Sequence, residues 1–315
     1  MSKYYLLPKE GKFYKANLHC HSTFSDGKYT PEQLKEKYKE HGYSILAYSD
    51  HNILLPHTEL KDAAFLPITA IEIDCTERKE DWCTAKTYHL NYFSFDENKN
   101  KFVDVERTYS IENINDIIRR ANENGFLAQY NHPRWSFQTA EDFIPLEGLW
   151  GFEVYNTGCQ IEMLDGFADY EYECMARSGK LIATSATDDN HNPWMDDSSP
   201  YSDSFGGFTM IKAEKLEYGT IMNAMKSKNC YASTGPELNV LYFEDDVLHV
   251  ECSPCSAIMA STDSRRTRIY RSLRDDMISM DIQMEFPFEW LRVECVDSYG
   301  RKAISRAYAK SEMGK

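Results

Sequence analysis

The chain has 315 residues, 42% hydrophobic and 13% aromatic, enough for one large domain or two smaller ones and too apolar for intrinsic disorder. Its 35 Lys and Arg stand against 50 Asp and Glu, a formal net charge of -15, which excludes an extended basic surface for nucleic acid or anionic lipid but leaves room for a local phosphate site. No run approaches the ~20 apolar residues of a membrane span and the N-terminus lacks an apolar signal core, so a soluble, cytoplasmic protein without membrane contact is expected.

In chain order, Phe13 to Leu18 reads as a strand running into Asn17-Leu18-His19-Cys20-His21-Ser22-Thr23-Phe24-Ser25-Asp26-Gly27. Thr30-Pro31-Glu32-Gln33 is a capping box with proline at the first helical position, and the helix it opens should stop at Gly42. Ser44 to Tyr48 is a short apolar strand delivering Asp50-His51. Phe65 to Ile73 and Thr87 to Phe93 are strand-like. Ile111, Ile114, Ile117, Ile118 and Ala121 recur at helical spacing before Gly125. Phe126 to Tyr130 leads into Asn131-His132-Pro133. Gly151 to Tyr155 is another strand, a helix is expected from Ile161 to Arg177, and Leu181 to Ser185 delivers Asp188-Asp189-Asn190-His191. Repeated βα units imply a parallel sheet or barrel. Beyond Ser233-Thr234-Gly235-Pro236 the segments are short and β-rich, from Leu238 to Tyr308, as in a small antiparallel sandwich. The nine cysteines are an odd number and fit reduced thiols; Cys252-Ser-Pro-Cys255, a CxxC without a second pair, reads as ordinary thiols.

Six of the nine histidines (His19, His21, His51, His89, His132 and His191) fall at or past the ends of these strands, or within the strand for His89, together with Asp50, Glu72 and Asp189. In a β/α barrel that rim is where catalytic groups converge. HxH on one strand points both rings to one face, and Asp189-x-His191 repeats that geometry on another strand. Imidazoles and carboxylates without thiolates suit zinc, manganese or iron. The donors outnumber the needs of one ion, so two or three divalent metals are expected, with Glu72 the best bridging carboxylate.

HxH followed by Ser25-Asp26-Gly27, then Ser49-Asp50-His51-Asn52, an isolated Glu72, His89, Asn131-His132-Pro133 and Asp-x-His resembles the PHP (polymerase and histidinol phosphatase) family of metal-dependent phosphoesterases over residues 13–232. The resemblance implies a distorted (β/α)7 TIM-like barrel around a three-metal site in residues 1–232. The segments Tyr231 to Pro236, Leu291 to Glu294 and Gly300 to Ala303 resemble a two-domain form with a C-terminal β-sandwich, here 233–315. Carried over, His19 and His21 would hold one metal with Asp189 and bridging Glu72. Glu72, His89 and His132 would hold a second, and Asp26, His51 and His191 a third. Asp189 is preferred to Asp188 because it completes the Asp-x-His spacing. Asn17 departs from the aspartate usual before Leu-His, and Asp26-Gly27 tilts the reading away from histidinol phosphate.

The expected activity is hydrolysis of a small phosphorylated substrate, a phosphomonoester or nucleotide, by a metal-bridging hydroxide. Asp50 is expected to orient an imidazole or assist the leaving group. Arg134 is a candidate to clamp phosphate bidentately, against the alternative of a surface arginine. Glu153, Tyr155 and Asn156 end a strand facing the same rim, and Trp135, Trp194 and Tyr201, which follow ligand motifs, are candidates to stack on a base or sugar, against the alternative of core or lid packing. The alternatives are a metal-retaining binding protein and a hydrolase of non-phosphate esters or amides. Oligomeric state is left open.

Overall fold

A computed structural model describes residues 3–314. Its elements in order are β1 (Tyr4–Tyr5), β2 (Lys12–Asn17), α1 (Pro31–Glu40), β3 (Ile45–Tyr48), β4 (Leu66–Thr76), β5 (Thr87–Ser94), α2 (Ile111–Glu123), β6 (Phe126–Tyr130), α3 (Ala140–Phe143), β7 (Gly151–Asn156), α4 (Thr157–Met163), α5 (Asp169–Arg177), β8 (Ala183–Thr187), β9 (Phe208–Ala213), α6 (Tyr218–Lys226) and β10 (Cys230–Ser233). The β-rich remainder comprises β11 (Leu238–Glu244), β12 (Val247–Cys255), β13 (Ala257–Thr262), β14 (Arg268–Arg271), β15 (Met277–Gln283), β16 (Trp290–Val296), β17 (Lys302–Ser305) and β18 (Tyr308–Ala309).

Local chemistry sets the helix ends as expected. Thr30 Oγ1 accepts from the Gln33 amide and Gln33 Oε1 from the Thr30 amide, so α1 starts at Pro31. In α2 the apolar stripe Ile114, Ile117, Ile118 and Ala121 is buried, while the opposite face carries an Asp116–Arg119–Glu123 ion-pair row. The single helix expected over 161–177 is two. Leu164 adopts a left-handed conformation (φ 56°, ψ 28°) that ends α4, and α5 begins only at Asp169.

The main sheet is mixed rather than parallel. β2, β3 and β4 run parallel, as do β6, β7 and β8, but β5 lies antiparallel between β4 and β6. Residues 77–86 joining β4 to β5 hold only the 3-10 turn Trp82–Thr84, and a parallel return needs a crossover of a dozen or more residues. On the other side β2 pairs antiparallel with β9, β9 with β10, and β10 with β17. The sheet therefore continues without a break into β16, β13 and β14. The (β/α)7 barrel of the expectation is not closed: among the described residues no backbone ladder joins β8 to β9 or β10. A side chain spans that gap instead, since Thr209 Oγ1 meets both the amide and the carbonyl of Ala186.

A separate antiparallel sheet, β1-β11-β12-β15, packs against the far end of the large one. Alternate residues of β11, β12 and β13 point into a shared apolar core that also takes Leu6 and Leu7. Strands β9 and β10 and helix α6 escaped the sequence reading. The two strands are buried on nearly every side, which erases the periodicity that marks an element, whereas α6 does carry a helical stripe in Tyr218, Ile221, Met222 and Met225 that could have marked it. No helix among the described residues is long and apolar enough to cross a membrane.

Candidate metal centre

The ends of β2, β3, β6 and β8, together with the middle of β4 and β5, bring the expected residues to one place. His19 and His21 follow β2, with their rings 5.2 Å apart on one side, while Cys20 between them packs against Tyr29 and Tyr38 on the other. His51 pairs with Glu72 as an isolated parallel bridge, and His89 stands opposite Asp74 on β5. His132 and Asp189, immediately past β6 and β8, hold positive φ angles of 23° and 52°. Such backbone is sparsely populated for side chains of this kind and is a recurrent feature of functional sites. Gly27 explains the end of the Ser-Asp-Gly stretch: a Cβ there would lie 2.3 Å from the His21 carbonyl oxygen.

Glu72 is the centre of the arrangement and is fully buried. Its Oε2 lies 3.2 Å from His19 Nε2, 3.3 Å from His21 Nε2 and 3.1 Å from His51 Nδ1. Asp189 Oδ1 is 3.0 Å from both His19 Nε2 and His21 Nε2. Glu72 Oε1 faces a second group: His89 Nδ1 at 3.0 Å and His132 Nε2 at 3.6 Å, with Asp189 Oδ2 3.7 Å from the same His132 nitrogen. A third, looser group gathers at Asp26. His191 Nε2 is 3.5 Å away, His21 Nδ1 3.7 Å and His51 Nε2 3.8 Å.

These separations test whether a cation fits. Donors about 2.1 Å from one ion lie about 3.0 Å apart in an octahedron and about 3.4 Å apart in a tetrahedron. The 3.0–3.3 Å spacings of His19, His21, Glu72 and Asp189 fall in that interval. His19 Nε2, His21 Nδ1, His51 Nδ1 and Glu72 Oε2 are buried without a hydrogen-bond partner, although carboxylate and imidazole atoms stand this close. His19 Nε2 and Glu72 Oε2 face the group shared with Asp189, whereas His21 Nδ1 faces Asp26. The unpartnered atoms therefore fall in more than one donor group, and more than one divalent ion would be needed to satisfy them.

The surrounding groups fix the donors. Glu153 Oε1 receives a hydrogen bond from His19 Nδ1 at 2.9 Å, which leaves Nε2 as the inward-facing lone pair. Glu153 is itself held by Thr187 Oγ1, Asn156 Nδ2 and the His132 amide. Asn131 Nδ2 donates to Glu72 Oε1. Asp203 accepts from the amides of His191 and Asn192 and so sets the loop carrying His191. Asp203 lies in an aperiodic, turn-rich stretch and had no sequence signal; Asn131 sat inside a motif, but its role did not follow from spacing.

Electrostatics agree with a site built for cations. Burial opposes the charge on Glu72 and Asp189, yet the adjacent histidines outweigh it and hold both carboxyls well below the usual range. Burial likewise opposes protonation of His191, but Asp26 and Asp189 prevail and hold it at about 9. His51 moves the other way, to about 4, chiefly through burial.

Two expected roles come out differently, and the choice of Asp189 over Asp188 agrees with the contacts. Asp50 touches no imidazole; its carboxylate accepts from the amides and hydroxyls of Ser22 and Ser25, so it shapes the loop after His21 and stands outside the cavity wall. Arg134 is held by Asp165 at 2.5 Å and Glu171 at 3.0 Å, and it too stands off that wall. A guanidinium already shared by two carboxylates is a tether for the segment before α5, not an open clamp. Asp188 is enclosed, accepting from Tyr38, Thr157 and the amides of Phe205, Gly206 and Gly207, and Asp189 alone faces the histidines.

The centre floors a cavity of about 490 Å³. Trp135, Ile161, Pro193, Trp194 and Tyr201 give it apolar walls, and Glu162, Asp203 and Asp26 add acid; among the described residues no Lys or Arg lines it. Trp135 lies edge-on to His132 and His89, and its Nε1 donates to Glu162.

Residues 17–173 match the family model of the PHP domain. A comparison with curated proteins gives no match. Among solved structures the chain is similar to a two-domain protein from Bacteroides vulgatus ATCC 8482, described as containing a predicted PHP-like metal-dependent phosphoesterase. The identity is 13%, the match covers 96% of this chain and 98% of that one, and the TM-score is 0.51, a likeness of fold. A protein from Bifidobacterium adolescentis ATCC 15703, provisionally described as a metal-dependent phosphoesterase, matches at 17% identity over 62% of this chain and 91% of its own, TM-score 0.39. An amidohydrolase from Chromobacterium violaceum, with bound sulfate and no metal, matches at 15% identity over 59% and 93%, TM-score 0.42.

Proposed function

The chain belongs to the PHP family, and from that premise we propose that it is a hydrolase acting on a small phosphorylated substrate, a phosphomonoester or nucleotide, with two to three divalent ions of Mn, Zn or Fe. The observation that carries this is the convergence of His19, His21, Glu72 and Asp189 at ligand spacing, with His19 Nε2 and Glu72 Oε2 buried and unpartnered. His89 and His132 would join Glu72 at a second position, and Asp26, His51 and His191 would form the third. Bound ions supply Lewis acidity and bring the pKa of water to about 7.

The chain's own groups do the rest. Glu153 keeps the proton of His19 on Nδ1, and Asn131 Nδ2 holds Glu72 by donating to its Oε1. Asp203 fixes the backbone at His191. Trp135, Pro193, Trp194 and Tyr201 would pack against the non-phosphate part of the substrate and limit water at the reacting centre. We further propose that residues 1–232 form the phosphoesterase unit and 233–315 a β-sandwich unit, with Leu6 and Leu7 packed into the latter.

Purified protein should hold metal and hydrolyse phosphomonoesters or nucleotides, and H19A/H21A should lose turnover by at least about 10³-fold and lose metal while keeping its far-ultraviolet spectrum. Turnover that survives this change would overturn the site. One observation favours a second reading, hydrolysis of a non-phosphate ester or amide: among the described residues no Lys or Arg lines the cavity to pair with a phosphate dianion. Activity on neutral esters or amides with none on phosphoesters, in metal-loaded protein, would select it.

A further inference from the structure

We propose that Cys252, Cys255 and Cys295 form a second, independent metal site between the two sheets of the C-terminal half, taking one thiophilic ion of the Zn2+ or Cu+ class. Cys252 and Cys255 lie three apart on β12, and residues so spaced on a regular strand face opposite sides. Here the register of β12 against β15 shifts between Glu251 and Cys255, with Pro254 inside the irregularity, and both sulfurs turn inward. The third sulfur comes from β16 in the other sheet, where Cys295 pairs with Ile258 and Ala303. All three side chains are buried among Leu238, Ile258 and Val293.

The geometry suits ligation better than it suits a disulfide. The Cys252 and Cys255 sulfurs are 3.6 Å apart, and all three lie within 4.8 Å of one another. With metal–sulfur bonds of about 2.3 Å, sulfurs lie about 3.8 Å apart in a tetrahedron and about 4.0 Å apart in a trigonal plane. The carbonyl oxygen of Met277 stands 3.4 Å from Cys255 Sγ and 3.8 Å from Cys252 Sγ, a hard donor beside the triangle. Ligation is not a redox step. Each thiol releases its proton to solvent as the metal–sulfur bond forms, and Zn2+ leaves the smallest residual charge in this apolar setting. The ion would tie β12 to β16, and so one sheet to the other. Sequence alone shows only the CxxC; the third ligand lies 40 positions on.

Cobalt(II) added to the reduced, metal-free full chain tests this, because only thiolate ligation gives an intense near-ultraviolet charge-transfer band. The band should appear with one equivalent of cobalt, persist in H19A/H21A, persist in C83S, whose cysteine is exposed, and vanish in C295S with the loss of one metal per chain. No band in the wild-type chain with its thiols reduced, or a band that survives in C295S, would overturn the proposal. So would a Cys252–Cys255 disulfide found by peptide mass mapping of protein purified without reductant. Should C295S fail to fold, 113Cd magnetic resonance of the wild-type chain decides: a strongly downfield, thiolate-type signal beside the nitrogen- and oxygen-ligated ones is expected, and its absence counts against the site.

Discussion

At the scale of the residue, Asn17 ties the strand end that carries His19 to the loop that carries Asp189. Its Oδ1 accepts from the amides of His19 and Asp188, and its Nδ2 donates to Tyr38 and Asn190. Asp188 sits in the same buried network, its own carboxyl raised by burial to about 6. An N17D substitution would remove both donated bonds and bury a second acid there. We expect it to cost about 2–4 kcal/mol at pH 7.5 and less at pH 5, where the new acid can protonate; equal losses at both values in urea denaturation would contradict this. A second expectation concerns His191. Its folded pKa of about 9 lies above the 6.5 of the free ring, so the stability it contributes in metal-free protein is full below 6.5 and lost as pH rises through about 9. Ligation requires the neutral ring, so apparent affinity for Mn2+ or Zn2+ should rise with pH toward that value, with protons released on binding. Calorimetry in buffers of different ionisation heat measures both, and an affinity flat from pH 6.5 to 9 would refute the assignment of His191. The converging side chains were legible because they follow successive strand ends, although Asp189 and His191, past β8 with a positive φ at Asp189, reach different donor groups rather than sharing one strand face. The duties of Asp50 and Arg134 were not, because a neighbour in sequence need not be a neighbour in contact.

At the scale of the element, what could be read was what carried a local signal. The capping box of α1 and the isoleucine stripe of α2 fixed those helices in register. The break between α4 and α5 did not announce itself, since Leu164 is not a residue expected in the left-handed region. It is 83% exposed, so its side chain contributes little packing. L164G should relieve that backbone and raise stability by about 0.5 kcal/mol after the entropy cost of glycine, whereas L164A should give no gain. A lowered denaturation midpoint in L164G would mean that something covers this leucine. The irregularity in β12 likewise has no sequence signature beyond Pro254, yet it decides which way two cysteines point.

At the scale of the whole molecule, the change of grammar near Ser233 was legible, but the continuity of the large sheet across it was not, because strand pairing between distant segments leaves no local pattern. The first residues cross that boundary too. Tyr4 and Tyr5 pair with Phe243 and Tyr242, and Leu6 and Leu7 are buried in the C-terminal core. Deleting residues 1–8 should therefore cost about 3–6 kcal/mol through the two leucines alone, seen as a lower melting temperature and faster proteolysis within 238–284; an unchanged melting temperature would deny that the segment belongs there. Among the described residues no Lys or Arg lines the cavity, so in metal-free protein the positive charge on its wall is imidazolium, that of His191 above all. Any pull this wall exerts on an anion therefore fades as pH rises through about 9, where an arginine would have held it constant.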